Sequence, residues 1–365
     1  MESTHRSEHP TVIAVLFLLF CCLALFPQIA SAANSEPTPT VSPYIFKQMN
    51  LAQKQLDEGA PKEALTTLRK ITQLRSITPY EKALAQQTSA VIYYQQENLK
   101  EAIEQFKLAN DSGALPTSSR QQTRFNLAQL YLAEKHYDRA TVILKQWFKL
   151  SKNPPGEAHL LLASIHAANN KYPQAIASAE DGVKLVKKPL ESHYRFLLGL
   201  YFETKAYKKA EKLLESLTLK FPDNKEYWLQ LASLYSLQNR DQESLAVSEI
   251  AYQRKLLTEN DEIVRLARQL LALEYPHKAA KVLEAAIKAK TAEANFENNK
   301  LLASAWFNAR EYKKALEPLA RAAKQAIDGS LYFRLAQVHF ELENYQDTVK
   351  YLQLSSATGP LKKPG

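Results

Sequence analysis

One small residue comes back along this chain at a nearly fixed interval, and that interval limits the folds open to it. It stands at Ala64, Ala102, Ala140, Ala175, Ala210, Ser244, Ala279, Ala315 and Thr348, with successive spacings of 38, 38, 35, 35, 34, 35, 36 and 33 residues. Each lies in an apolar-periodic stretch that follows a short turn, and a large apolar side chain such as Leu144 or Leu283 commonly comes four residues later. Only 8 of the 365 residues are Gly, and no stretch alternates apolar with polar in the manner of a strand. Two antiparallel helices approach closely only where a side chain is small, and Ala meets that need without loss of helix propensity. A unit this short buries its apolar face only by stacking on neighbours, so the pattern specifies an all-α array of about nine helix-turn-helix units.

The residues around each small position narrow the repeat type. Trp228, Leu231, Ala232 and Tyr235 form a first-helix pattern of aromatic, Leu, small residue and Tyr. Leu127, Ala128 and Tyr131 with Tyr137, Ala140 and Leu144 give both halves of another unit, and Leu302, Ala303 and Trp306 with Tyr312, Ala315 and Leu319 give a third. Tyr137, Tyr172, Tyr207, Tyr312 and Tyr345 open second helices, while Pro116, Pro154, Pro189 and Pro222 break the chain between units. Ser244, Thr348, Pro61, Pro276 and Leu198 depart from the pattern. The sequence from about Phe46 to Leu354 thus resembles the tetratricopeptide-repeat (TPR) family. That resemblance implies a right-handed superhelical solenoid over residues 44–355. Gln121–Ile176, Asn224–Lys288 and the terminal Leu361–Gly365 are also similar to the exported TPR proteins of gammaproteobacteria that accompany TonB, ExbB and ExbD energy-transduction systems. In that family a segment like Leu361–Gly365 leads into another helical pair, so residues 356–365 read as a tail that stops short of a further repeat.

The amino terminus has a separate character. Thr11–Phe26 carries no charge, and Ala30-Ser31-Ala32 follows with small side chains, the arrangement of a secretory signal peptide over residues 1–32. Glu2 and Glu8 offset Arg6 in the leading segment, so an uncleaved anchor in the inner membrane stands as the alternative. Both cysteines, Cys21 and Cys22, fall inside the apolar run, which leaves the exported part without thiol or disulfide chemistry. Residues 33–43 are rich in Pro, Ser and Thr and read as a flexible leader. The whole chain has 47 basic and 38 acidic residues, a net charge of +9. Its Lys and Arg alternate with Glu over amphipathic faces and form no dense basic cluster, which argues against a nucleic-acid partner and leaves a membrane as a neighbour only.

On the family's architecture the first helix of each pair lines the concave surface. The resemblance then implies a partner-binding groove of Asn126, Gln129, Arg195, Gln230, Arg265, Arg268, Lys300, Asn308, Arg334 and Gln337, polar throughout and cationic in its C-terminal half. Such donors suit an extended acidic peptide. The Lys and Asn clamp that some TPR proteins close on a C-terminal carboxylate has no counterpart, since Gln87, Val91, Asn126, Glu157 and Leu161 occupy the corresponding places. His159, His166 and His193 fall on the packing register, and neither a His-Glu-x-x-His run nor a phosphate-cradling glycine loop occurs. The sequence therefore calls for no cofactor or metal and no catalytic residues. It describes a periplasmic adaptor for protein partners, of the TonB-system type, with a scaffold for cell-wall or polysaccharide-export assembly as the alternative. Cleavage after Ala32 predicts that the mature protein from the envelope fraction begins at Ala33 when its N-terminus is sequenced; a retained Met1 in the membrane fraction would make it an anchored protein.

Overall fold

The computed structural model describes residues 39–359. The expected signal segment, its cysteines and Leu361–Gly365 lie outside the described residues, as does most of the leader. Among the described residues there are eighteen helices and no strand, and no helix is long and apolar enough to cross a membrane. The described residues divide into two compact units, one ending at Ala206 and the other beginning at Tyr207.

The first unit contains α1 (Pro43–Asp57), α2 (Pro61–Thr72), α3 (Pro79–Gln95), α4 (Leu99–Asp111), α5 (Thr117–Ala133), α6 (Tyr137–Leu150), α7 (Gly156–Ala168), α8 (Tyr172–Leu185) and α9 (Glu191–Glu203). The second contains α10 (Tyr207–Lys220), α11 (Lys225–Leu237), α12 (Asp241–Gln253), α13 (Asn260–Ala272), α14 (Pro276–Lys288), α15 (Phe296–Asn308), α16 (Tyr312–Ala323), α17 (Ser330–Glu341) and α18 (Tyr345–Thr358). Within each unit every helix packs on the next in the chain, which is the tandem helix-turn-helix order that the spacing required. The odd-numbered helices from α1 to α17 are the first helices of their pairs.

The recurring small residues sit where the periodicity put them. Ala64, Ala102, Ala140, Ala175, Ala210, Ser244, Ala279 and Ala315 have no exposed surface. Twelve positions before the small residues the first helices carry Ala52, Ala90, Ala128, Ala163, Ala232, Ala267, Ala303 and Ala336, while Leu198 stands twelve before Ala210. Ser244 replaces Ala without leaving a polar orphan. Its hydroxyl donates to the Ala232 carbonyl at 2.8 Å and accepts from Gln269 Nε2 at 3.0 Å, which ties α12 to α11 and α13. Thr348, in the last pair, is only half-buried.

A second regularity was not read from the sequence. Five residues before each small residue the backbone turns left-handed: at Gly59, and then at Glu97, Lys135, Asn170, Lys205, Asn239, Glu274, Arg310 and Glu343, with φ between 55° and 75°. At each turn the next amide reaches back five residues, as His136 N–H does to the Tyr131 carbonyl at 2.7 Å and Asn344 N–H to the His339 carbonyl at 2.9 Å, which closes a Schellman-type cap. Glycine is the signal usually sought for such a cap, and it appears only at Gly59. Asn170 and Asn239 also suit the left-handed region, but Glu97, Lys135, Lys205, Glu274, Arg310 and Glu343 bear a strained side chain because the short link to the second helix fixes the backbone there.

Successive first helices are also laced together at their N-terminal ends. Glu81, the third residue of α3, is buried and accepts from Ser42 N–H at 2.8 Å and from Thr78 N–H and Oγ1 at 2.9 Å each, so that it caps its own helix and holds the start of α1. Val41 packs beneath, and the ordered fold thus reaches back slightly beyond Tyr44. Glu262, at the same place in α13, forms an ion pair with Lys225 of α11 at 2.8 Å, and Asn298 of α15 donates from Nδ2 to Asn260 Oδ1 of α13 at 2.8 Å.

Two outcomes follow. Lys135→Gly relieves a left-handed side chain and should stabilise the protein by about 0.5–1 kcal/mol, whereas Gly59→Ala should destabilise it by a similar amount; thermal unfolding of both variants measures the pair, and equal effects would contradict the cap assignment. The hydrogen bonds from Ser42 and Thr78 lower the Glu81 carboxyl from 4.5 to about 2. Because the folded value lies below the unfolded one, this stability is fully present above about pH 4.5 and drains away as pH falls toward 2. Acid unfolding over that window should be steeper for the native protein than for Glu81→Gln.

Candidate functional site

Helices α1, α3 and α5 of the first unit, with Phe106 of α4, shape a shallow open cavity of about 460 Å³. Its walls are Gln53, Leu56 and Asp57 of α1, Gln87, Thr88, Val91, Ile92 and Gln95 of α3, Phe106 of α4, and Gln122 and Asn126 of α5. Asn126 is the one expected groove residue found in it. Three carboxamides are held in place: Gln53 Nε2 donates to Asp57 Oδ1 at 2.9 Å, Gln87 Nε2 to Thr123 Oγ1 at 2.9 Å, and Gln122 Nε2 to Asn126 Oδ1 at 2.8 Å. Their remaining oxygens, with the Asn126 amide and the Asp57 carboxylate, give the cavity a polar lining beside the apolar Leu56, Val91, Ile92 and Phe106. On sequence grounds Gln87 is set only against a carboxylate clamp, and Gln53 and Gln122 receive no role; the signal in the sequence is the place of Gln53, Gln87 and Gln122 on first helices, one residue after Ala52, three before Ala90 and six before Ala128.

The other expected residues of the first unit lie elsewhere. Gln129 is half-buried on α5 and Arg195 is exposed on α9. Counted from the small residue of each first helix, Arg195 and Lys300 stand three before it, whereas Asn126, Gln230, Arg265 and Arg334 stand two before it and Gln129, Arg268 and Gln337 one after. All fall within one broad face, but Arg195 and Lys300 are at its edge.

In the second unit the cationic character expected of the groove is concentrated on α13. Arg265 and Arg268 are both exposed, one turn apart, and neither makes an ion pair among the described residues. Helix α15 touches α13 directly and presents Lys300, whose ammonium lies 5.8 Å from the Phe296 ring centre. Arg334 of α17 is a less available donor than the sequence suggested. It is half-buried, with its guanidinium 4.5 Å over the Phe307 ring. Gln230 is likewise withdrawn, its Oε1 buried without a hydrogen-bond partner, while Asn308 and Gln337 are exposed.

The shifted ionisable groups act in packing. Burial and the Glu180 carboxylate at 2.8 Å raise the Tyr201 phenol. Burial and Glu215 push Tyr235 up to about 12, and Arg240 stacks on its ring at 4.4 Å while pairing with Glu211 at 2.8 Å. His166 and His193 are lowered, chiefly by burial. His193 Nδ1 accepts from Leu190 N–H at 3.3 Å as part of a helix cap, and His159 meets Phe148 edge-on at 5.0 Å. Among the described residues no three His, Cys, Asp or Glu side chains gather as a metal site.

No family model matches the chain, and no curated protein does. Among solved structures, a tetratricopeptide repeat protein from Parabacteroides merdae is 16% identical over 72% of this chain and 99% of its own, with a TM-score of 0.43. The C-terminal part of a TPR repeat-containing protein from Cytophaga hutchinsonii is 14% identical over 76% of this chain and 94% of its own, at 0.44. YrrB, described as a TPR protein with an unusual peptide-binding site, is 13% identical over 47% of this chain and 85% of its own, at 0.39. TM-scores this low leave these as likenesses, and the description of the fold rests on the chain's own helix pairs.

Proposed function

We propose that this protein is a non-enzymatic scaffold that holds other proteins along the face of its first helices. The observation that carries this reading is the pair Arg265 and Arg268, two exposed guanidiniums on one turn-spaced edge of α13 with no carboxylate partner among the described residues. Like charges so placed repel each other, and an acidic segment lying across them would relieve that repulsion while accepting paired N–H bonds. Lys300 on the adjoining first helix extends the same charge. The cavity of the first unit, lined by amides and Asp57, adds hydrogen-bonding capacity on first helices. The finer reading is an adaptor of the periplasm that serves a TonB, ExbB and ExbD type of energy-transducing complex. Its support is the sequence resemblance over Gln121–Ile176 and Asn224–Lys288, together with the apolar amino-terminal segment.

With a labelled glutamate-rich decapeptide as probe, Arg265→Glu with Arg268→Glu should weaken binding by about tenfold at low salt, and the difference should shrink as salt is raised. Lys281→Glu, on the second helix α14, is the control, and equal binding by the two variants would remove α13 as the site. Crosslinking in bacterial envelopes followed by co-purification addresses the finer reading, which fails if TonB, ExbB and ExbD are all absent from the captured material.

A further inference from the structure

Two links between helix pairs of the first unit carry lysine and leucine with no acid among them. Helix α6 ends in Lys149 and Leu150 and is followed by Lys152; α8 ends in Lys184 and Leu185 and is followed by Lys187, Lys188 and Leu190. No acidic residue occurs from Leu144 to Gly156 or from Gly182 to Leu190. The five lysines are exposed and make no ion pair among the described residues. The leucines stand out beside them, Leu150 at 36%, Leu185 at 49% and Leu190 at 63% exposed.

Stacking makes one surface of the two runs. Both links lead from the C-terminal end of a second helix to the N-terminal end of the next first helix, so they lie at the same edge of the stack. Their approach is close because glycine stands on both sides. A Cβ on Gly156, the first residue of α7, would lie 2.5 Å from the Gly182 carbonyl oxygen and from the Val186 amide nitrogen, and one on Gly182 would lie 2.7 Å from Leu160 Cγ. The end of the first link is thereby pressed against the last turn of α8, where the second link begins. Neither run is dense alone, which is why counting along the chain finds no basic cluster. The corresponding links of the second unit are built differently: each carries an acid, Asp223, Glu259, Glu293 or Asp328. Two of these acids neutralise bases of a neighbouring pair, Asp223 with Arg254 at 3.2 Å and Glu259 with Lys225 at 3.9 Å.

Unpaired lysines beside exposed leucines on projecting links suit a partner that is anionic at its surface and apolar just beneath. We propose that this edge of the first unit docks on a bilayer surface rich in anionic phospholipid. The ammonium groups of the five lysines meet the lipid phosphates, and the leucines enter the boundary between headgroups and acyl chains. An acidic protein segment is a poorer occupant, because it would answer the lysines and leave the leucines in water. This edge is separate from the Arg265–Arg268 face, and neither depends on the other.

The test uses the full chain and co-sedimentation with vesicles of phosphatidylcholine alone or mixed equally with phosphatidylglycerol. The apolar segment Thr11–Phe26 is common to every variant, so the ratio between variants is the readout. Lys184→Gln with Lys187→Gln and Lys188→Gln should weaken partitioning into the anionic vesicles about a hundredfold at low salt, at about fivefold for each charge, and less as salt is raised. Leu185→Gln with Leu190→Gln should weaken it about tenfold. Lys62→Gln with Lys70→Gln and Lys100→Gln removes the same charge from exposed second-helix positions of the same unit and should change it only about twofold. Neutral vesicles should not separate the two lysine triples. Because the altered side chains are exposed, all variants should unfold at the native temperature, which circular dichroism checks. Equal loss with both lysine triples, or partitioning indifferent to phosphatidylglycerol, overturns the site. Loss with the Lys184 triple but none with the leucine pair overturns the lipid-surface assignment. So does loss of glutamate-rich decapeptide binding by the Lys184 triple with vesicle binding unchanged, which would make an acidic protein segment the occupant.

Discussion

Close approach of two helices at one small side chain is the contact on which the rest of this protein is built. Ala140 and Ala315 have no exposed surface, and a small side chain there lets the two backbones approach, while Leu144 and Leu319 four residues on are buried in clusters that include residues of the next pair. Each such leucine contributes roughly 2 kcal/mol of burial, but only with a neighbour on top of it. The pair is therefore the unit of geometry and the stack is the unit of stability. Ser244 shows how strict the size limit is. The chain admits a hydroxyl at the crossing, yet both its hydrogen-bonding capacities are met, by Ala232 and Gln269.

Given that contact, the turn has little freedom. A second helix that must present its small residue five positions after the reversal forces the left-handed backbone at Lys135, Glu274 and their equivalents, whatever residue stands there. The N-terminal lacing of first helices by Glu81, Glu262 and Asn298 then fixes how successive pairs follow one another within each unit. Side chains on the first-helix face consequently come into line from residues far apart in sequence. The cavity of the first unit gathers Gln53, Gln87 and Asn126 in this way, and Arg265, Arg268 and Lys300 share neighbouring helices of the second unit by the same means.

The first-helix face differs in chemistry between the two units. In the first it presents amides, with the Asp57 carboxylate among them, and in the second the exposed guanidiniums of Arg265 and Arg268. Gln230 and Arg334 stand at the same register as Arg265 but are drawn into packing, Gln230 through its buried oxygen and Arg334 over the Phe307 ring.

The sequence by itself determined the all-α class, the pairing and the crossing residues, because a period of 33 to 38 residues with a small side chain at one register has a simple steric meaning. It also placed the candidate residues on first helices, since position on a helix face follows from counting. Tertiary structure alone decided which of them are available. Arg334 is partly spent on Phe307, and Gln230 has its oxygen buried, whereas Arg265 and Arg268 stand free of ion pairs among the described residues; these outcomes depend on side chains of the adjoining pair, which no single repeat encodes. The left-handed turns were hidden for a related reason. Their conformation is imposed by the helices on either side, and only Gly59, Asn170 and Asn239 are residues that announce it locally. The cavity's glutamines were plain polar letters until stacking brought the first helices that carry them to one cavity.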